Sequence, residues 1–325
     1  MSKYTVEFHK NMAVEFILSI VRFALKEKME SYSFKLNEEI LEWEKEVDQD
    51  ISPFFRNDLL LIKKTENLLW PILNLILIKE LNDPEKVLKL FKEMESKEFV
   101  INFLNSFTLE DKIDDLNNNS RIEKILSNSI EDENIVKYII NLTQSPDELK
   151  ERVYLILKQF YNNYFKGRED VAESYLTDKL NKHRKLYERD PDMFFEYMTG
   201  FKQDNIDQHC SKISLIITYH GEVFSYYKSV KNKKINIIYG ISLEQKFDEE
   251  LRTEQSKLLF KVLSDEKRLK ILKMLANKPR YAQELAEYFG ITTATMSYHI
   301  SKLFELGVIT FNEREKNRIY YQLET

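Results

Sequence analysis

With 325 residues, 43% of them apolar, 32% charged and only six Gly and six Pro, the chain has the material for two ordered domains and not the composition of a disordered or fibrous protein. Met1 to Glu7 offer no basic start leading into an apolar stretch, and the longest uncharged apolar run, Leu68 to Ile78, falls short of the roughly 20 residues of a membrane span. The lone Cys210 excludes an internal disulfide, so a cytoplasmic protein with no membrane partner is expected. The net charge of −5 divides as +4 over residues 251–325 and −9 over the rest, a basic end on an acidic body, as a polyanion-binding segment has.

Along the first two thirds, Ser52-Pro53, Asp83-Pro84, Ser145-Pro146 and Asp190-Pro191 each set a capping side chain before a proline, which predicts four helix starts. Ser145-Pro146-Asp147-Glu148 also has capping-box spacing. Apolar residues recur at three and four, as in Phe16, Ile20, Phe23 and Ala24, or Val87, Leu90, Phe91 and Met94. Residues 10 to 199 therefore read as a string of roughly ten helices. Trp43, Trp70, Phe54, Phe55, Phe194 and Phe195 are expected mostly in the core, with a ligand pocket among them as the alternative.

After Gly200 the pattern changes. Ile213 to Tyr219, Val223 to Val230 and Ile235 to Ile241 are rich in Ile, Val, Tyr and Ser and are separated by His220-Gly221 and by Lys231 to Lys234. They predict two hairpins forming a small three-stranded antiparallel sheet over about 213–241. Helical periodicity resumes from Leu243 through Phe247, Leu251, Leu258 and Leu259, which predicts a connecting helix and a domain boundary near residue 250.

Asp265 to Ala276 reads as a helix with Leu269, Leu272 and Leu275 on one face and Lys267, Lys270 and Lys273 mostly away from it. A second helix, Ala282 to Phe289, points Leu285, Ala286 and Phe289 inward, and Gly290 supplies the left-handed turn. Thr292 is the expected N-cap of a third helix, Thr293 to Leu306, which buries Met296, Ile300 and Leu303 and turns Ala294, Tyr298, Ser301, Lys302 and Glu305 outward, with Thr295 and Ser297 flanking. Such a face suits a major groove, where hydroxyls reach base edges or phosphates and a tyrosine ring or Thr methyl touches thymine methyls. Val308 to Phe311 and Ile319 to Leu323 predict a hairpin whose tip carries Arg314, Lys316 and Arg318, a wing aimed at backbone or minor groove. Expected DNA contacts are Thr292, Thr293, Thr295, Ser297, Tyr298, His299, Ser301, Lys302, Arg314, Lys316 and Arg318, with a packing role as the alternative for His299.

The stretches Ser264 to Leu272, Glu284-Leu285-Ala286, Thr295 to Ile300, Leu306 to Ile309 and Arg318 to Tyr321 together resemble the ArsR/SmtB family of winged-helix regulators, over about a quarter of the chain. The preceding helical region with a few strands is similar, more loosely, to an N-terminal domain of uncharacterised function carried by some members. The resemblance implies a homodimer placing two recognition helices in successive major grooves of an inverted repeat, and effector-dependent repression. Members that sense metals use cysteines in the helix before the recognition helix, or His and Asp/Glu on a helix after the wing. Here the former reads Tyr281-Ala282-Gln283-Glu284-Leu285 and only two residues follow Leu323, so neither site is expected.

The expected fold is mainly α, with a multi-helix domain (1–250) bearing the small sheet, followed by a winged helix-turn-helix (251–325). The expected function is sequence-specific binding of double-stranded DNA by a homodimeric repressor, controlled through the N-terminal domain, where a small-molecule effector is the candidate signal. A protein-interaction adaptor and a transcriptional activator are the alternatives. No phosphate-cradling glycine loop, nucleophile elbow or helical metal-ligand pair occurs, so no enzyme activity is expected. His209, Cys210 and His220 lack a fourth ligand at suitable spacing, so no metal or cofactor is expected either.

Overall fold

The computed structural model describes residues 4–29, 35–108, 112–201, 210–230, 234–247, 259–315 and 318–324. The chain divides into two compact units, Met1–Ile122 with Lys137–Lys246, and Glu123–Val136 with Phe247–Thr325. The boundary expected near residue 250, and most of the expected connecting helix, lie at 248–258, outside the described residues. What precedes them, Ile241–Phe247, is a 3-10 helix.

Strand β1 (Thr5–Lys10) is followed by helices α1 (Met12–Ala24), α2 (Lys26–Met29), α3 (Glu38–Asp50), α4 (Pro53–Thr65), α5 (Trp70–Lys79), α6 (Pro84–Glu93), α7 (Ser96–Leu104), α8 (Asn119–Ser129), α9 (Glu133–Thr143), α10 (Pro146–Phe160), α11 (Glu169–Arg189) and α12 (Pro191–Phe194). Among the described residues no helix is long and apolar enough to cross a membrane. Each of the four expected prolines is a first helical residue, and Ser52, Asp83 and Asp190 accept backbone N–H groups of their first turns. Ser145 does not. Its backbone, at φ −120° and ψ 73°, departs from the extended geometry of those caps, and its side chain makes no capping hydrogen bond.

Helix α1 is enclosed all round, as Met12 through Phe23 are buried, including Glu15, Ser19 and Arg22. It packs against α4, α5, α6 and α11. Most of the aromatics expected in the core are there, but Phe54 is 88% exposed beside the buried Phe55, since successive residues on a helix point about 100° apart.

The sheet corrects the expectation of three antiparallel strands. It has four, in the order β1-β2-β4-β3, with β2 at Lys212–Thr218, β3 at Ser225–Val230 and β4 at Lys234–Gly240. β1 and β4 both run parallel to β2, and only β3 is antiparallel to its neighbour β4. The physical reason lies in burial. β2 and β4 are buried along both faces, so they are nearly continuous apolar runs, the signature of parallel strands covered on both sides. Val223 and Phe224 belong not to β3 but to a turn that crosses the end of β4. There Gly240 N donates to Phe224 O (2.9 Å) and Ser242 N to Glu222 O (2.9 Å).

Under this crossing lies a buried set of charges. Arg22 Nε is 2.6 Å from Glu44 Oε1, and Arg22 Nη1 is 3.0 Å from Glu222 Oε2. Glu222 Oε1 accepts from the backbone N of Asn37 (2.5 Å) and from Ser242 Oγ (3.0 Å). Burial pushes the Glu222 carboxyl above its ordinary range against the pull of Arg22. Glu15 accepts from the backbone N of Tyr219 and His220 and bonds His220 Nδ1 at 2.9 Å, tying the end of β2 to α1. His220, weighed as a metal ligand, is thus held by a carboxylate. Cys210 is buried and His209 lies outside the described residues. Among the described residues no group of three or more His, Cys, Asp or Glu is placed to hold a metal ion.

A second pair, with His183 buried and Glu244 half-buried, sets an acid limit. His183 Nε2 lies 3.1 Å from Glu244 Oε2, and Lys179 bonds the other oxygen. Burial opposes ionisation of Glu244, but His183 and Lys179 outweigh it and hold the carboxyl at about 2. Burial likewise lowers the His183 pKa, against the pull of Glu244. A depressed carboxylate contributes stability above its unfolded pKa that is lost as pH falls through the folded value, and a depressed histidine loses stability below its ordinary range. The first unit should therefore lose up to about 3 kcal/mol as pH falls from 4.5 toward 2. Urea unfolding across that range checks this, with Glu244→Gln expected to flatten the profile.

Candidate nucleic-acid interface

In the second unit, helices α13 (Glu266–Asn277), α14 (Ala282–Phe289) and α15 (Thr293–Glu305) are joined to a sheet of β5 (Arg280–Tyr281), β6 (Ile309–Glu315) and β7 (Arg318–Leu323), in the order β5-β7-β6. Ile271, Leu275, Leu285, Ala286, Met296, Ile300, Leu303 and Ile309 form its core together with Val262. On α13 the inward residues are Ile271 and Leu275, with Leu272 half-buried. Leu269, expected on the inward face, is 41% exposed, because Ile271 and Leu275, four apart, set the direction of the buried stripe.

Asp265 caps α13 by accepting from the backbone N of Arg268 at 3.0 Å. Gly290, at φ +63°, ends α14 in the left-handed region and lets the chain turn directly into α15. Thr292 caps α15, its Oγ1 accepting from Thr295 N at 3.1 Å and sharing a hydrogen bond with Thr295 Oγ1 at 2.8 Å. Thr292→Ala should cost about 1 kcal/mol and speed amide exchange in the first turn of α15, while Thr292→Ser should leave exchange nearly unchanged.

The structure sorts the sequence-predicted contacts. Thr292, Thr293, Thr295, Ser297, Tyr298 and Ser301 are exposed, Tyr298 to 56%. Ser301 Oγ donates to Glu305 Oε1 (2.9 Å) and Lys302 Nζ pairs with Glu305 Oε2 (2.7 Å), so the C-terminal half of the face is partly self-satisfied. Its N-terminal half presents Thr293, Ser297 and Tyr298. His299 is on the core side, 8% exposed, with Nδ1 buried and unbonded, and burial pulls its pKa below the ordinary value.

The wing strands run further than expected, to Glu315 and from Arg318, with Arg314 opposite Ile319 and Glu315 opposite Arg318. The expected tip residue Lys316 lies outside the described residues. One residue was missed from the sequence. Arg268, on α13, places its guanidinium carbon 5.9 Å from the centre of the Tyr298 ring, and Lys302 Nζ lies 5.9 Å from the same ring. The missed signal was a fourth basic position on α13, beside Lys267, Lys270 and Lys273 and three residues after the cap.

Residues 265–310 match the family model described as bacterial regulatory protein, arsR family. Over 67 residues the chain is 37% identical to the transcriptional repressor SdpR of Bacillus subtilis (strain 168), spanning 21% of this chain and 73% of that protein. Among solved structures it is similar to reduced HlyU from Vibrio cholerae N16961, at 25% identity and a TM-score of 0.22, over 25% of this chain and 82% of that one. A homodimeric winged helix-turn-helix DNA-binding domain, Mb0332 from Mycobacterium bovis, matches at 28% identity and a TM-score of 0.21, over 22% and 65%. A capped, solvent-facing third helix on a three-helix core, a β-hairpin after it, the family model over residues 265–310 and the identity to SdpR lead to one conclusion: the chain belongs to the arsR family of bacterial transcriptional regulators, through a winged helix-turn-helix at its C-terminal end.

Proposed function

We propose that this protein is a cytoplasmic, homodimeric repressor that reads an inverted-repeat operator and is controlled through its N-terminal unit. The carrying observation is the exposed Thr293, Ser297 and Tyr298 face of α15, held by the Thr292 cap on one side and the Met296, Ile300 and Leu303 core contacts on the other. A dimer is what an inverted-repeat operator would require, since two such helices must enter successive major grooves about 34 Å apart. Repression is favoured over activation by the likeness to a protein named as a transcriptional repressor. Arg314, Lys316 and Arg318 are the proposed backbone or minor-groove contacts of the wing.

Control by a small molecule is proposed to act in the first unit. A cavity of about 360 Å³ is lined by Lys35 to Glu39, Tyr175, Ile241, Ser242, Glu244 and Gln245, within the size range of ligand pockets. It lies beyond the carboxyl end of the parallel strand β4, where open α/β sheets place their ligands. We propose no catalytic role for it.

Tyr298→Ala tests the reading. The variant should fold as the parent does and lose its preference for the upstream DNA of its own gene over random duplex. A variant that keeps that preference would exclude α15 as the reader. Transcripts of neighbouring genes should rise in a deletion strain, and a fall would make the protein an activator.

A further inference from the structure

We propose that Arg268, outside the recognition helix, is a specificity-determining positioning residue that fixes the Tyr298 ring for contact with a thymine methyl. The inference rests on the DNA-binding reading above. Tyr298 is 56% exposed on α15, a position where a free tyrosine side chain samples several rotamers. Here three neighbours restrain the ring. Arg268 and Lys302 each place a cationic group 5.9 Å from its centre, and the His299 ring meets it edge-on at 5.8 Å and 67°. Lys302 is itself held by Glu305 at 2.7 Å.

Arg268 is fixed at both ends. Its backbone N donates to Asp265 Oδ1 at 3.0 Å, and its Nη1 donates to the carbonyl of Val262 at 3.2 Å. Its Nε is buried and has no hydrogen-bond partner among the described residues. With Nε buried, the side-on Nε and Nη2 pair that can grip a phosphate is out of reach, and one Nη1 hydrogen is already committed to Val262. What it offers Tyr298 is a planar, charged surface that attracts the ring face. The ring then presents apolar edge atoms at a set angle, and the thymine methyl is the major-groove feature that apolar atoms read.

The experiment uses the full chain, duplexes selected from a random pool for tight binding, and copies of the best duplex in which one thymine at a time is replaced by uracil, which removes the methyl alone. The parent should lose about fivefold in affinity at one such position in each half-site, roughly what burying one methyl-sized apolar group is worth. Arg268→Lys keeps the charge and removes the planar group. It should bring that thymine-to-uracil ratio close to one, while the salt dependence and the affinity for random duplex stay as in the parent. In a Tyr298→Ala background, which should already lack the ratio, Arg268→Lys should change nothing further.

A uniform loss on all duplexes with a salt slope lower by about one would make Arg268 a phosphate anchor and overturn the proposal. An unchanged ratio in Arg268→Lys would overturn it too, as would a parent that selects a sequence yet ignores the thymine methyls. A parent with no preference among duplexes would bring down the DNA-binding reading itself. Amide exchange of α13 and α15 shows whether Arg268→Lys is folded. If it is not, Arg268→Gln, planar but uncharged, serves in its place and should retain part of the ratio.

Discussion

Arg22→Ala should destabilise the first unit by about 3–5 kcal/mol, the range found when one partner of a buried ion pair is removed. Arg22 is 1% exposed and sits between Glu44 and Glu222, both nearly as inaccessible, and both would lose its guanidinium. Glu222 carries its carboxyl above the ordinary range even with Arg22 present, because burial outweighs the ion pair. Without Arg22 it should take up a proton nearer to neutrality. A raised folded-state pKa means that the native state binds more protons than the unfolded one, so the deficit of Arg22→Ala should shrink as pH falls from 7 toward 5. Urea unfolding followed by tryptophan fluorescence reads the first unit alone, since Trp43 and Trp70 are the only tryptophans of the chain. A triple variant carrying Arg22→Met, Glu44→Leu and Glu222→Leu should recover much of the loss, since the charges repay little more than their own desolvation.

Gly240→Ala should cost at least about 3 kcal/mol, above the usual range of overpacked sites. The added Cβ would overlap the backbone carbonyl groups of Glu222 and Gly221, which cross the end of β4. Those atoms cannot retreat separately, because the hydrogen bonds from Gly240 N and Ser242 N hold the same turn. Gly221→Ala makes the contrast. The atoms nearest its Cβ belong to the side chains of Thr218 and Leu18 rather than to backbone, so a smaller loss is expected. Equal losses in the two variants, measured by urea unfolding, would mean that the crossing is not what demands glycine at 240.

These two sites also show where sequence reading stops. The helix marks at Pro53, Pro84, Pro146 and Pro191, and the sequence Leu285, Ala286, Gly290 and Thr292 that builds the helix-turn-helix, act through neighbours a few residues away, so the string of letters carries them. Strand β1 is six residues long and pairs with a strand two hundred positions later, and no local period reports such a partner. The nearly continuous apolar runs of β2 and β4 did hold a clue to parallel pairing, as alternation is what a half-exposed antiparallel strand shows. In the reading head, the outward residues of α15 followed from the helical period, whereas Arg268 reaches Tyr298 across two helices.

Titration of the full-length protein with duplex DNA from the region upstream of its own gene, against random duplex of equal length and over a series of salt concentrations, tests the central claim most directly. The account predicts tighter binding to the upstream duplex and affinity for both duplexes that falls steeply and linearly on logarithmic axes as salt rises. Equal affinity for the two, or binding indifferent to salt, would contradict it.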